Sequence, residues 1–241
     1  TRAGWQALQD MRRRDRLPPA LPEALNRRTA AAALRDHAKA RVGDEALDGT
    51  VLTHDNLLRL RPHRGLVLER GEQRLDGASL AAMCGEVCIS ERAFRAGTRL
   101  AGLQPRAVLL IENLGVYVDL QLPDDWCAVH VPGWNTRMVE RARDAWPGAP
   151  AAIFGDLDPN GVAIARSLRA LWPALEWFVP SFAMDYLDRG RAAIWPGLDP
   201  DVPGVIHALA ARSAWLEQET FLLDPRLGRE LIAWARRSGS H

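Results

Sequence analysis

The sequence predicts an α/β fold built on a parallel sheet, and three observations predict it. From residue 106 onward, short apolar runs alternate with helical stretches, the pattern of strands joined by crossover helices. Two of the runs, Val108-Leu109-Leu110-Ile111 and Ala151-Ala152-Ile153-Phe154, are continuously apolar, as buried strands are. Both stop abruptly at carboxylates: Glu112-Asn113 after the first, Gly155-Asp156-Leu157-Asp158 after the second.

Each element follows from local composition. Residues 1–20 are Arg-rich and end in Leu17-Pro18-Pro19, which reads as a short helix and a linker. Residues 21–41 are Ala-rich with Pro22 near the start, which favours a helix. His54-Asp55-Asn56-Leu57-Leu58-Arg59-Leu60 reads as another short helix, and residues 80–95 as a longer one. Between them, residues 65–71 and Gln73-Arg74-Leu75 read as a hairpin about Gly71. Helices plus a hairpin within residues 21–103 fit a winged-helix-like DNA-binding module. Residues 104–241 then form the second domain. Strands are expected at 106–111, 126–131, 151–154 and 176–179. A helix over 136–146 places Met138, Ala142, Ala145 and Trp146 on one face, and one over 160–172 carries the stripe Ile164, Leu168, Leu171 and Trp172. Two or three short helices follow Pro196, and Ser238-Gly239-Ser240-His241 has the look of an appended tag, set aside from the fold.

Composition bounds the function. The 241 residues allow one large domain or two small ones, and 47% are hydrophobic, enough for a sizeable core. Net charge is +1, so any nucleic-acid surface must be a local patch. Lys39 is the only lysine; arginine is the better phosphate fork, although a GC-rich genome produces the same bias. Cys84, Cys88 and Cys127 form no Cys-x-x-Cys pair, and an odd count without a secretory segment predicts a reducing cytoplasm. No apolar run approaches membrane-spanning length.

The chemistry lies at the two acidic strand ends. Sites in parallel sheets collect just beyond the carboxyl ends of strands, so Glu112, Asp156 and Asp158 are expected at one edge. Carboxylates held that close repel one another unless a cation lies between them, and hard oxygen donors suit Mg²⁺ or Mn²⁺. Gly155 and Gly161 permit the turn and a close helix approach, and the N-terminus of that helix favours a phosphate. Arg166 and Arg169 follow on the helix, while Arg92, Arg95 and Arg99 lie near the end of the N-terminal module. All five are candidates for DNA-backbone contacts, and equally ordinary charges on exposed helix faces. His130, at a strand-to-helix turn, either meets a phosphate or water or simply closes its strand.

A lone Glu112-Asn113 after one strand and Asp156-x-Asp158-Pro159-x-Gly161 after a later one resemble the Toprim domain of topoisomerases, primases and some nucleases. Residues 155–164 are similar to the version in topoisomerase VI A subunits. Ile111-Glu112-Asn113-Leu114 and Trp215-Leu216-Glu217-Gln218-Glu219 resemble the JetD-type nucleases of Wadjet plasmid-defence systems. The resemblance covers roughly the last 140 residues, a domain-sized span, and more weakly the 60 or so before them. It implies a Rossmann-like Toprim sheet with Glu112, Asp156 and Asp158 as catalytic metal ligands for Mg²⁺ (or Mn²⁺). Glu217 and Glu219 become second-metal candidates, or else a solvated helix face. It further implies a homodimer that cuts double-stranded DNA in concert with an SMC-type complex. The topoisomerase relatives attack DNA with a tyrosine of the winged-helix domain. Here Tyr117 and Tyr186 are the only tyrosines and both follow Glu112, so the expected reaction is hydrolysis by metal-activated water. Three rivals stand beside this reading. One is a haloacid-dehalogenase-type phosphatase, against which Asn160 replaces the usual Thr or Val. The second is a glycosyltransferase, which gives no reason for Glu112-Asn113. The third is a non-catalytic DNA-binding protein with a relict site.

Overall fold

The computed structural model describes residues 2–14, 22–35 and 50–239. Contacts gather the chain into two units, Thr1–Leu57 with Ser90–Ala96, and Leu58–Ile89 with Gly97–His241. These divide the chain at different places from the 21–103 and 104–241 segments read from sequence.

The first unit opens with α1 (Arg2–Arg13), β1 (Ala24–Asn26), α2 (Arg27–Arg35) and β2 (Val51–Thr53). The helix expected from residue 21 begins only at Arg27, because Ala24-Leu25-Asn26 pairs in parallel with Val51-Leu52-Thr53. The rest of that helix, residues 36–41, and the expected linker from residue 15 to 20 lie outside the described residues. Asn26 accepts from the Arg28 N–H at 2.9 Å and donates to Asp55 at 2.7 Å, fixing the strand-to-helix corner.

Next come β3 (Leu57–Arg61), β4 (Leu66–Arg70), β5 (Gln73–Asp76), α3 (Gly77–Cys84) and β6 (Val87–Ser90). The short helix expected over residues 54–60 is instead the strand β3, since Leu58 and Leu60 alternate with Arg59 and Arg61 and bury every second side chain. The hairpin forms as expected, with β4 and β5 antiparallel around Gly71 at φ +58°. The helix expected over residues 80–95 is also corrected. Gly85 at φ +83° ends α3 in a left-handed cap, and Val87 and Ile89 turn inward as a strand. Only then does α4 (Glu91–Arg95) begin, capped by Ser90 and belonging to the first unit. The strand β7 (Arg99–Gly102) completes a small sheet of order β5-β4-β7.

The remaining elements belong to the second unit. They are β8 (Ala107–Ile111), α5 (Leu114–Asp119), β9 (Trp126–His130), α6 (Val139–Ala145), β10 (Ala151–Phe154), α7 (Pro159–Leu171) and β11 (Glu176–Trp177). A 3-10 helix (Ala183–Arg189) leads to β12 (Arg191–Ala192), α8 (Gly204–Ala210) and β13 (Ala214–Trp215). A second 3-10 helix (Gln218–Phe221) leads to α9 (Pro225–Ser238). Ser238, set aside from the sequence, is helical, and its hydroxyl donates to Glu176 at 2.6 Å.

The main sheet has six strands in the order β11-β10-β8-β9-β3-β6. The four from β8 to β11 run parallel, and β3 runs antiparallel to β9. The sheet is therefore mixed rather than purely parallel, and two strands of the expected winged-helix segment, β3 and β6, are part of it. Every residue of β8 is fully buried, which accounts for its uninterrupted apolar sequence. Each such Leu or Ile contributes about 1.5–3 kcal/mol of burial. Around it Phe154, Leu157, Leu216, Phe221, Leu231 and Trp234 join one core that ties the C-terminal helices to the sheet.

Candidate functional site

Three parallel strands end together. Register places Phe154 beside Ile111 and Ile111 beside His130 in one row across the sheet. The chain passes from β8 to β9 on one side and then to β10 on the other, so the strand order reverses at β8. Open α/β sheets bind ligands in the crevice beyond such a reversal. Glu112 leaves the end of β8, and Gly155-Asp156-Leu157-Asp158 leave the end of β10, as the sequence predicts.

Backbone amides hold these carboxylates. Asp158 caps α7, accepting the Gly161 N–H at 2.6 Å, with Pro159 at the first helical position. Asp156 accepts the Gln218 N–H at 2.8 Å. The backbone of Asp156 faces the Glu112 carboxylate, whose Oε2 is buried with no hydrogen-bond partner. The two glycines make room for this. A Cβ on Gly155 would stand 2.8 Å from Glu112 Oε2, and one on Gly161 would stand 2.0 Å from the Asp156 carbonyl oxygen.

The electrostatics are those of crowded like charges. Burial first, then Asp156 and Asp158, push Glu112 up to about 7. Burial pushes Asp156 up to about 6, with Asp158, Glu219 and Glu217 adding to the rise and the Gln218 amide opposing it. Glu217 and Glu219 thus lie within electrostatic reach of Asp156. Glu217 is paired with Arg191 at 3.0 Å, and Glu219 accepts from the side-chain amide of Asn113. Asn113 also caps α5 through its side-chain oxygen, which accepts the Gly115 N–H at 2.7 Å.

Gln218, which the sequence reading passes over between two glutamates, is fully buried at the centre of this arrangement. Its Oε1 accepts the Asn113 N–H at 3.1 Å and its Nε2 donates to the Phe154 carbonyl at 3.1 Å. Leu157 and Leu216 form a two-way backbone bridge alongside. The only sequence signal is an uncharged amide inside the Glu-Gln-Glu turn.

Each of the five arginines is engaged in an ion pair. Arg92 pairs with Asp55, Arg95 with Glu91 at 3.2 Å, Arg99 with Glu69 at 3.0 Å, Arg166 with Asp199, and Arg169 with Asp201 at 3.1 Å. Such exposed pairs stabilise little. His130 is 9% exposed and packs on the Tyr117 ring at 5.3 Å, closing its strand. Burial is the main cause that lowers its pKa below the usual histidine value. Tyr117 is buried, and its hydroxyl donates to Glu86 at 3.1 Å. Burial and Glu86 both hold it protonated.

The carboxylates at the edge offer oxygen donors, one of them buried and unpartnered, and burial, with neighbouring carboxylates adding to it, raises Glu112 and Asp156. That donor set fits a hard divalent cation. Among the described residues, no three His, Cys, Asp or Glu side chains are already gathered closely enough to hold one. No protein-family model matches the chain, and no curated protein matches it.

Proposed function

We propose that the chain is a divalent-metal-dependent DNA endonuclease that hydrolyses phosphodiesters at the carboxyl edge of the sheet. The observation that carries this reading is the Glu112–Asp156–Asp158 cluster at the strand-order reversal, with its unpartnered buried oxygen and with Glu112 and Asp156 raised above the usual carboxylate range. Glu112, Asp156 and Asp158 would hold Mg²⁺ or Mn²⁺, and Glu219 and Glu217 extend the oxygen set toward a second ion. When bound there, such a cation would supply the charge that polarises a phosphate and acidifies a water. Glu112, raised to about 7 by burial and its acidic neighbours in the metal-free chain, would give up its proton on binding the cation. Asp156 and Asp158, each tied at one oxygen to a backbone N–H, keep the donor set rigid. The N-terminus of α7 opens at the same edge and favours a phosphate oxygen. Hydrolysis is favoured over a tyrosyl–DNA intermediate because Tyr117, the tyrosine nearest the edge in sequence, is buried and held by Glu86. A homodimer and an SMC-type partner complex in a cytoplasmic plasmid-defence system complete the reading. Among the described residues, no helix is long and apolar enough to cross a membrane.

The test is cleavage of plasmid DNA with Mg²⁺, Mn²⁺ or EDTA, beside a phosphomonoester and a nucleotide sugar. Metal-dependent cutting of DNA alone is expected. Asp156→Ala should reduce it by at least about 100-fold, the scale of removing one transition-state stabilising group, while retaining a cooperative melt. Cutting that persists in EDTA, or a fully active Asp156→Ala protein, overturns the reading. Turnover of the phosphomonoester instead selects the phosphatase.

A further inference from the structure

We infer that Gln218 is a positioning residue of the acid edge: its side-chain amide clamps the ends of β8 and β10 and so sets the spacing of Glu112 and Asp156. This rests on the reading of that edge as a metal-dependent hydrolytic centre.

The last rung between the two strands is the Glu112 N–H donating to the Phe154 carbonyl at 3.3 Å. Beyond it the chains diverge into α5 and into the Asp156–Asp158 turn, and ladder pairing stops. The Gln218 amide takes over there. It gives its N–H to the same Phe154 carbonyl and accepts the N–H of Asn113, the residue after Glu112. A planar amide offers a donor and an acceptor at fixed separation, so it acts as one more rung across the gap. Its own backbone N–H then fixes one oxygen of Asp156. One buried residue therefore touches both carboxylate-bearing strand ends and Asp156 itself. Asn113 couples the clamp to Glu219. Buried polar side chains that satisfy donor and acceptor together are costly to leave half-made, and this one has both amide groups engaged.

Supporting groups of this kind typically change metal affinity by 10–100-fold when removed. The experiment is calorimetric titration of the full chain with Mn²⁺, before and after Gln218→Met and Gln218→Leu. Both variants keep the volume and remove the amide. Each is expected to weaken Mn²⁺ binding by about tenfold or more, and to raise the Mn²⁺ concentration that half-saturates cleavage, while still melting cooperatively in EDTA. Unchanged Mn²⁺ affinity in a folded variant overturns the inference and leaves the metal centre standing. Loss of the folded state in both variants overturns it as well, by making Gln218 a structural residue. Failure of the wild-type chain to bind Mn²⁺ overturns the reading of the edge, and the inference falls with it.

Discussion

Two carboxylate clusters lie in the same unit and have opposite electrostatics. Around Arg226, Asp224 and Asp185 are both paired with one guanidinium, at 2.7 and 2.5 Å. The guanidinium also lies 4.3 Å from the Phe182 ring centroid, and Asp224 accepts from the Tyr186 hydroxyl at 2.8 Å. Its bonds to Arg226 hold Asp224 far below the usual carboxylate range. At the edge of the sheet Glu112 and Asp156 go the other way, up to about 7 and about 6. One cluster carries its own cation and is complete as folded. The other concentrates negative charge and leaves an oxygen unsatisfied. The contrast separates an acidic group whose charge is neutralised within the fold from one whose charge is not.

The largest expected effect is at the glycine beneath the acid edge. Gly161→Ala would drive a methyl into the Asp156 carbonyl, so the turn must shift. A loss of about 1–3 kcal/mol is expected, as for other overpacked sites, together with loss of thermal stabilisation by Mn²⁺. Equal Mn²⁺ shifts in melting temperature for this variant and the wild type would break the link between the turn and the cation.

Charge removal should then act with opposite sign at the two clusters. In EDTA at pH 8, Arg226→Ala is expected to lower the melting temperature, since it leaves Asp224 and Asp185 facing each other. Asp156→Asn is expected to raise it, since it removes a repelled charge. The same sign for both erases the distinction.

A smaller effect, readable without mutation, is the pH response. Glu112 rises from 4.5 to about 7 on folding, and Asp156 from 3.8 to about 6. Folding thus favours their protonated forms. Their contribution to stability is full below pH 4 and lost as pH climbs through 6 and 7. Melting temperatures of the metal-free chain should decline across that window, and saturating Mg²⁺ should flatten the decline. A metal-free protein with no decline there would show that the edge is not under like-charge strain.

The parts legible in the sequence are those whose cause is local. The strands β8 and β10 announce themselves because burial on both faces demands continuous apolar residues, and Glu112 and Asp156 mark where that demand ends. The strand β3 was obscured because Leu57-Leu58 precedes the alternation of Leu58 and Leu60 with Arg59 and Arg61. The strand β6 was hidden inside a helical-looking stretch that Gly85 interrupts. The roles of Gln218 and of four of the five arginines depend on distant partners, while Arg95 pairs locally with Glu91. Gln218 meets residues 105 and 64 positions away, and Arg169 finds Asp201 32 positions on. Residue type alone carries no trace of such pairings.

The clamp also orders events in time. The carboxylates Glu112, Asp156 and Asp158 fall within 47 residues of one another, whereas the amide that spaces them enters the chain about 60 residues later. Closing so long a loop carries an entropic cost that nearby contacts do not. All six strands of the sheet are synthesised before the turn around Gln218, so the acid edge is expected to mature late. Pulse-labelled amide exchange should find the Asn113 N–H protected after those of β8, and simultaneous protection would contradict this order. On the proposed reading, a centre that closes last would be inert for as long as its own chain is unfinished.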